Sequence, residues 1–221
     1  MQEKHLSILR RHMVERIEIL VELAAGELGK DRLGDRVLEA MKNVPRHAFV
    51  PDNLIPLAYE NTPLPIGFDK TISQPFIVAT MTDLLEPKPT DTVLEIGTGL
   101  GYQTSLLAEL CQQVWTVEVV EELANEAQER LKELGYQNVG FRIGSGAKGW
   151  AEHAPYDCII VTAAAETVPK ELVDQLKPGG RMVLPVGPPD HQRMTVVKKD
   201  AKGKVTESRG MPVRFSLLEV V

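Results

Sequence analysis

Apolar side chains recur at three- and four-residue steps from residue 6 to residue 25, through Leu6, Leu9, Met13, Ile17, Leu20 and Ala24. That stripe predicts an amphipathic helix with one face on a core. A second helix follows in "RVLEAMKNV", with Asp35 placed to cap its start and Pro45 to end it. Residues 45–67 then hold five prolines and predict an irregular, mostly extended course with stiff turns. Phe49, Val50, Leu54, Ile55, Leu57 and Tyr59 are too apolar for a disordered linker, so this course lies against the rest of the chain. Helical spacing resumes over residues 75–86 through Ile77, Met81, Leu84 and Leu85, with Pro75 in the first turn.

From residue 91 the pattern changes. "TVLEIG", "VWTVEV", "VGFRIG", "YDCIIVTAA" and "RMVLPVG" read as five strands. "YQTSLLAELC", "EELANEAQERLKELG" and "PKELVDQL" read as helices, and "KPGG" as a turn before the fifth strand. "YDCIIVTAA" is apolar enough to be covered on both faces, as a central parallel strand is. "RMTVVKKD", "GKVTESRG" and "PVRFSLLEV" alternate like antiparallel strands. The predicted fold class is α/β: a doubly wound, Rossmann-like sheet with right-handed crossovers, an N-terminal helical and loop region, and antiparallel C-terminal strands. Residues 1–87 are expected to pack as helices and a substrate-facing loop on a Rossmann-like domain of residues 88–221, in one compact unit.

Composition narrows the function classes. A hydrophobic fraction of 43% with 25% charged residues is that of a globular chain with its own core. The net charge of −6 argues against a nucleic-acid partner, which calls for a basic face. Cys111 and Cys158 lie beside or within apolar runs and are expected as buried free thiols in a reducing compartment. The five histidines show no metal-ligand spacing, so no metal is expected. The first twenty residues are too charged for a signal peptide, and no window reaches the length of a membrane-spanning helix. A cytoplasmic monomer with no membrane partner is the expectation.

The chemistry concentrates in Glu95–Gly101, "EIGTGLG", where Gly97, Gly99 and Gly101 alternate. A dinucleotide turn wants its third glycine one place later, where this chain has Tyr102. The carboxylate of Glu95 would repel a pyrophosphate but tolerate or attract a cation. S-adenosylmethionine carries a sulfonium and an amino group and no phosphate, so it fits better. Glu95, Gly97, Thr98, Gly99 and Gly101 are therefore expected to hold its methionyl part, with the glycines allowing close backbone approach. Glu118 ends the second strand and can accept hydrogen bonds from both ribose hydroxyls, although an acid there also suits a helix start. In "RIGSGAKGW", Gly144, Ser145 and Gly146 form a loop able to run along an adenine, or a plain surface loop.

Four stretches, "VPRHAFVP", "LPIGFDKTISQPFIVATM", "VLEIGTGLGYQTSLLA" and "LKPGGRMVLPVG", together resemble the protein-L-isoaspartate O-methyltransferase family. The likeness runs in order from about residue 8 to residue 187. It departs from the family pattern at Asp69, Lys70, Ser145 and the C-terminal "VRFSLLEVV". The resemblance implies transfer of a methyl group from S-adenosylmethionine, leaving S-adenosylhomocysteine, to the free α-carboxylate of an L-isoaspartyl residue. The ester then closes to a succinimide, which opens partly to normal aspartate. The implied partners are isoaspartyl-containing proteins and peptides.

A carboxylate is already the nucleophile at neutral pH, so the site needs positioning and dryness rather than a strong base. The stiff loop around Pro63, Pro65 and Gly67 is expected to close over the cofactor and present Ser73 to the substrate as the catalytic residue. Asn61, Thr71 and Ile72 are expected to share substrate binding with Ser73. Ser73 also reads as a cap for the helix that follows, and Asn61 as a turn former. Two rivals stay open: a methyltransferase for another peptide or small acid, and a non-catalytic adenosine-binding module.

Overall fold

The computed structural model describes residues 2–219; Met1 and the last two residues of the expected tail, Val220 and Val221, lie outside them. The predicted first helix is α1, Glu3–Leu23, which buries Leu6, Met13, Val14, Ile17 and Val21 along one face. A short α2, Ala25–Leu28, follows and is stopped by left-handed Gly29. Helix α3, Asp35–Asn43, is capped one residue earlier than expected. Gly34 holds the N-cap and donates its N–H to Asp83 Oδ1 at 2.6 Å, so Asp35 stands inside the first turn as a dipole-matched acid.

The proline-rich segment is more structured than its sequence implied. It forms two 3-10 turns, Arg46–Phe49 and Asp52–Leu57, and then a β-hairpin of β1, Leu64–Gly67, and β2, Lys70–Ile72. Phe68 and Asp69 turn this hairpin with φ of 53° and 56°. Two central residues at positive φ match the twist of a tight hairpin, so a left-handed pair can stand where the usual Asn-Gly does not. Helix α4, Pro75–Leu85, begins at the expected proline.

The main sheet has seven strands: β3, Thr92–Ile96; β4, Gln113–Glu118; β5, Val139–Ile143; β6, Tyr156–Val161; β7, Leu176–Val186; β8, Gln192–Lys199; β9, Val205–Val213. Their order is β5-β4-β3-β6-β7-β8-β9. The first five pair in parallel, and β8 and β9 add antiparallel, as the alternation of "RMTVVKKD" and "GKVTESRG" predicted. The third expected strand, "PVRFSLLEV", does not form: β9 ends at Val213, and residues 214–219 run on as irregular chain with one bridge, Leu217 to Ala164. The "KPGG" turn is instead a bulge inside β7: pairing with β6 slips between Tyr156 and Cys158, and Gly179 takes φ 84°. Helices α5, Tyr102–Leu110, α6, Glu121–Glu133, and α7, Lys170–Gln175, make the crossovers.

One cluster of buried side chains runs across the expected domain boundary, taking Val14 and Ile17 from α1, Met41 from α3, Met81 from α4 and Leu107 from α5. A second cluster fills the other face of the sheet around Leu94, Ile159 and Leu184. No helix among the described residues is long and apolar enough to cross a membrane. Strand order reverses beside β3, between β4 and β6. Ligands of doubly wound sheets sit outside the carboxyl ends of the strands at such a point.

Candidate active site

A cavity of about 1100 Å³ opens at that point. One wall is the end of the parallel sheet. Main-chain bonds fix it: Gly97 N donates to Val117 O at 2.8 Å, and Thr162 N to Ile96 O at 2.9 Å. Gly97, Thr98, Gly99, Glu118 and Gly146 line this wall, as expected for a cofactor site. The glycines serve packing as well as access. A Cβ on Gly97 would stand 2.2 Å from Thr162 Oγ1, and one on Gly146 would stand 2.1 Å from Ile96 Cγ2.

Glu118 uses both carboxylate oxygens on the backbone. Oε2 accepts from Gly99 N at 2.8 Å, and Oε1 from Val119 N and Val120 N at 2.9 and 3.0 Å. It therefore shapes the glycine turn, and Oε2 keeps a free lone pair for a hydroxyl on the cavity side.

Four of the expected cofactor residues stand off this wall among the described residues. Glu95 is fully buried beneath the turn, where Oε2 accepts from Thr104 Oγ1 at 2.5 Å and from Thr116 Oγ1 at 2.7 Å. Burial pushes its pKa up to about 8, against the two threonine bonds, and the charge of Glu118 adds to the rise. The acid therefore holds its proton at neutral pH, and the expected attraction of a cation by Glu95 does not operate. Its link to the cavity is indirect: Thr116 Oγ1 lies 2.7 Å from Glu95 Oε2 and 2.6 Å from the hydroxyl of Thr98, which lines the cavity. Gly101 is also behind the wall, at φ 97°, where an added Cβ would stand 3.0 Å from Leu131 Cδ1 and 3.5 Å from Ala127 Cβ of α6. Gly144 and Ser145 flank the cavity without lining it, and Ser145 Oγ donates to Glu219 O at 3.3 Å.

The facing wall comes from the N-terminal region and the tail. Asn61, Thr71, Ile72 and Ser73 all line the cavity, so the expected substrate residues meet in one place. Asn61 rather than Ser73 caps α4: its Oδ1 accepts from Phe76 N at 2.9 Å, and Gln74 Nε2 donates to Asn61 O at 3.0 Å. Ser73 Oγ takes no part in that cap. Residues 214–219 complete this wall, as irregular chain rather than the strand that their alternation predicted. Buried Gln192 pins the tail by gripping Phe215 twice, Nε2 to O at 3.0 Å and Oε1 from N at 2.6 Å. Leu217 bridges Ala164, and Lys70 of the hairpin pairs with Glu219 of the tail.

The sequence reading missed Thr162, whose hydroxyl donates toward Gly97 O at 2.8 Å and fills the space left by the missing Cβ. The available signal was its place as the first polar residue after the apolar run of β6.

The segments Gly97–Leu100 and Val117–Val119 bring one carboxylate and no lysine or arginine to the cavity. That set suits a ligand with ribose hydroxyls and a cationic centre and disfavours a pyrophosphate. A doubly wound sheet with this turn, this acid on the neighbouring strand and this cavity defines an S-adenosylmethionine-dependent methyltransferase.

The family profile of protein-L-isoaspartate (D-aspartate) O-methyltransferase matches residues 18–219. The chain is 56% identical over 219 residues to protein-L-isoaspartate O-methyltransferase 1 of a Polaromonas species, covering 99% of this chain and 93% of that one. It is 52% identical over 207 residues to protein-L-isoaspartate O-methyltransferase 2 of Syntrophobacter fumaroxidans, covering 93% and 84%. Among solved structures, a protein-L-isoaspartate O-methyltransferase superposes with a TM-score of 0.80 at 25% identity, over 94% of this chain and 66% of that one. A Plasmodium falciparum chain solved with S-adenosyl-L-homocysteine shares the fold, with a TM-score of 0.78 at 23% identity, over 95% and 98%. The chain belongs to the protein-L-isoaspartate (D-aspartate) O-methyltransferase family.

Proposed function

We propose that this enzyme methylates the free α-carboxylate of L-isoaspartyl residues in damaged proteins and so starts their repair. The observation that carries the reading is the meeting of two walls on one cavity: the glycine turn with Glu118, and the Thr71–Ser73 segment behind its hairpin. When bound, S-adenosylmethionine supplies an electrophilic methyl group. Gly97, Thr98, Gly99, Glu118 and Gly146 would hold it, with Glu118 toward the ribose.

Ser73 lies on the opposite wall, free of helix capping, and its hydroxyl donates to the substrate carboxylate. Thr71, Ile72 and Asn61 shape the same wall, and Asn61 fixes the start of α4 below it. The hairpin and the tail exclude water, which would otherwise solvate the carboxylate and blunt it. No residue removes a proton, because an ionised carboxylate has none to lose. The ester leaves the site and closes to a succinimide when the next backbone nitrogen attacks the ester carbonyl and methanol departs. Two buried free cysteines accord with a reducing compartment, and we place the enzyme in the cytoplasm as a monomer with no nucleic-acid or membrane partner.

The test offers matched isoaspartyl and aspartyl peptides with labelled S-adenosylmethionine. Label is expected on the isoaspartyl peptide alone; label on neither, with cofactor bound, would favour the binding-module reading. Ser73→Ala is expected to lower kcat/KM by about 10- to 100-fold, the loss of one hydrogen bond to a charged group, with cofactor affinity unchanged. Equal turnover by the variant removes Ser73 from the assigned role.

A further inference from the structure

Behind the wall that carries Ser73 lies an arginine to which no role has yet been given. Arg46 opens the first 3-10 turn directly after Pro45 and is 0% exposed. Its Nε donates to Ala58 O at 2.8 Å, and its Nη2 donates to Ser73 O at 2.8 Å. Its guanidinium carbon lies 4.8 Å from the centroid of the Tyr102 ring. Nη1 is buried with no partner. Among the described residues no carboxylate forms an ion pair with it.

Burial lowers the Arg46 pKa to about 10, partly offset by Tyr102 and Tyr59, so the group stays charged at neutral pH. A buried charge without a counter-ion is costly. Two carbonyls and an aromatic face ease that cost but carry no full negative charge. Both groups that Arg46 ties together, Ser73 and Tyr102, line the cavity. Tyr102 is the first residue of α5, immediately after the glycine turn. One guanidinium therefore joins the two walls, and it lies one residue behind the place where a carboxylate is to be bound.

Resting on the function proposed above, we infer that Arg46 is a positioning residue for methyl transfer. It holds the Ser73 main chain against the cofactor wall, and its unpaired charge favours an anionic ligand over a neutral one at Ser73. The substrate carboxylate is the counter-ion that the fold withholds. Lysine would keep the charge but not the planar fork that spans both carbonyls.

The test uses the whole protein, an isoaspartyl peptide with its free α-carboxylate, and the same peptide as its α-carboxamide. Wild type is expected to bind the carboxylate peptide at least about tenfold more tightly than the carboxamide. Arg46→Met is expected to raise KM for the isoaspartyl peptide about tenfold and erase that preference. Its affinity for S-adenosylhomocysteine, read by calorimetry, is expected to move less than about twofold. Arg46→Lys is expected to restore the preference but not the full kcat, a pattern that lost packing alone does not produce. The proposal is overturned if Arg46→Met keeps the wild-type preference, or if peptide and cofactor affinities fall together. Should neither variant fold, Ser73→Ala decides: a carboxylate preference that persists without the hydroxyl upholds the proposal, and its loss, or equal binding of the two peptides by wild type, overturns it. A wild type that leaves the isoaspartyl peptide unmethylated sinks the repair reading and this inference with it, whereas an unaltered Arg46→Met in an active enzyme sinks the inference alone.

Discussion

The two walls of the cavity are held by different kinds of bond. On the sheet side, main chain meets main chain: Gly97 N on Val117 O, Thr162 N on Ile96 O and Gly144 N on Glu118 O, all within 2.9 Å. The side chains that join in there are Glu118, on the amides of Gly99, Val119 and Val120, and Thr162, on the carbonyl of Gly97. On the other side the tail keeps two main-chain bonds to Ala164, and most of the holding falls to single side chains: Asn61 on Phe76, Gln192 on Phe215, Arg46 on Ser73 and Lys70 on Glu219. A wall of backbone tolerates change in side chains but not in the atoms that let backbones approach. A wall of side-chain ties is the reverse, since each tie can be altered alone. The first suits a ligand that never varies, and the second suits recognition that must be selective.

The sharpest way to break this contrast compares two glycines. Gly97→Ala is expected to destabilise the fold by about 3 kcal/mol, because φ is 95° and the new Cβ runs into Thr162. Gly67→Ala in the hairpin, at φ 91° with nothing within 4 Å, is expected to lose only about 1 kcal/mol. Urea unfolding of both variants reads the gap, and equal losses would deny that the walls differ. Next in size is the buried acid. The folded protein keeps the Glu95 proton up to about pH 8, while the unfolded chain releases it near its ordinary value of 4.5. The stabilisation from this group is complete below pH 4.5 and is lost as pH rises to about 8. Glu95→Gln is expected to gain on wild type by on the order of 2 kcal/mol between pH 5 and pH 8, read as unfolding free energy against pH.

Glu118→Gln is expected to weaken S-adenosylhomocysteine binding by about 1–2 kcal/mol, with the peptide KM nearly unmoved, as calorimetry and kinetics would show. The smallest effect belongs to Lys70→Gln, which removes a partly exposed ion pair. Stability is expected to change by less than about 0.5 kcal/mol in thermal unfolding.

The same contrast explains what the sequence made legible. The five parallel strands, the crossover helices and the glycine turn follow from periodicity and from glycine's freedom, both local properties of the chain. Glu118 was placed by its position at a strand end. Glu95 was misjudged because its sequence neighbours say nothing of depth; its burial depends on Thr116 standing opposite it in β4 and on Thr104 reaching down from α5. The hairpin was hidden because Phe68-Asp69 lacks the Asn-Gly signature. The tail's course rests on Gln192 and Ala164, partners that no local pattern announces.

That hairpin tip has a further consequence. Phe68 and Asp69 are wound in a sense that side-chain-bearing residues enter reluctantly, and the phenyl ring is 51% exposed. The ribbon is thus sprung at its apex, so its amides there exchange with solvent ahead of those at its base. Rewriting the two residues as Asn-Gly would relax that winding and is expected to slow exchange of the amides at the apex.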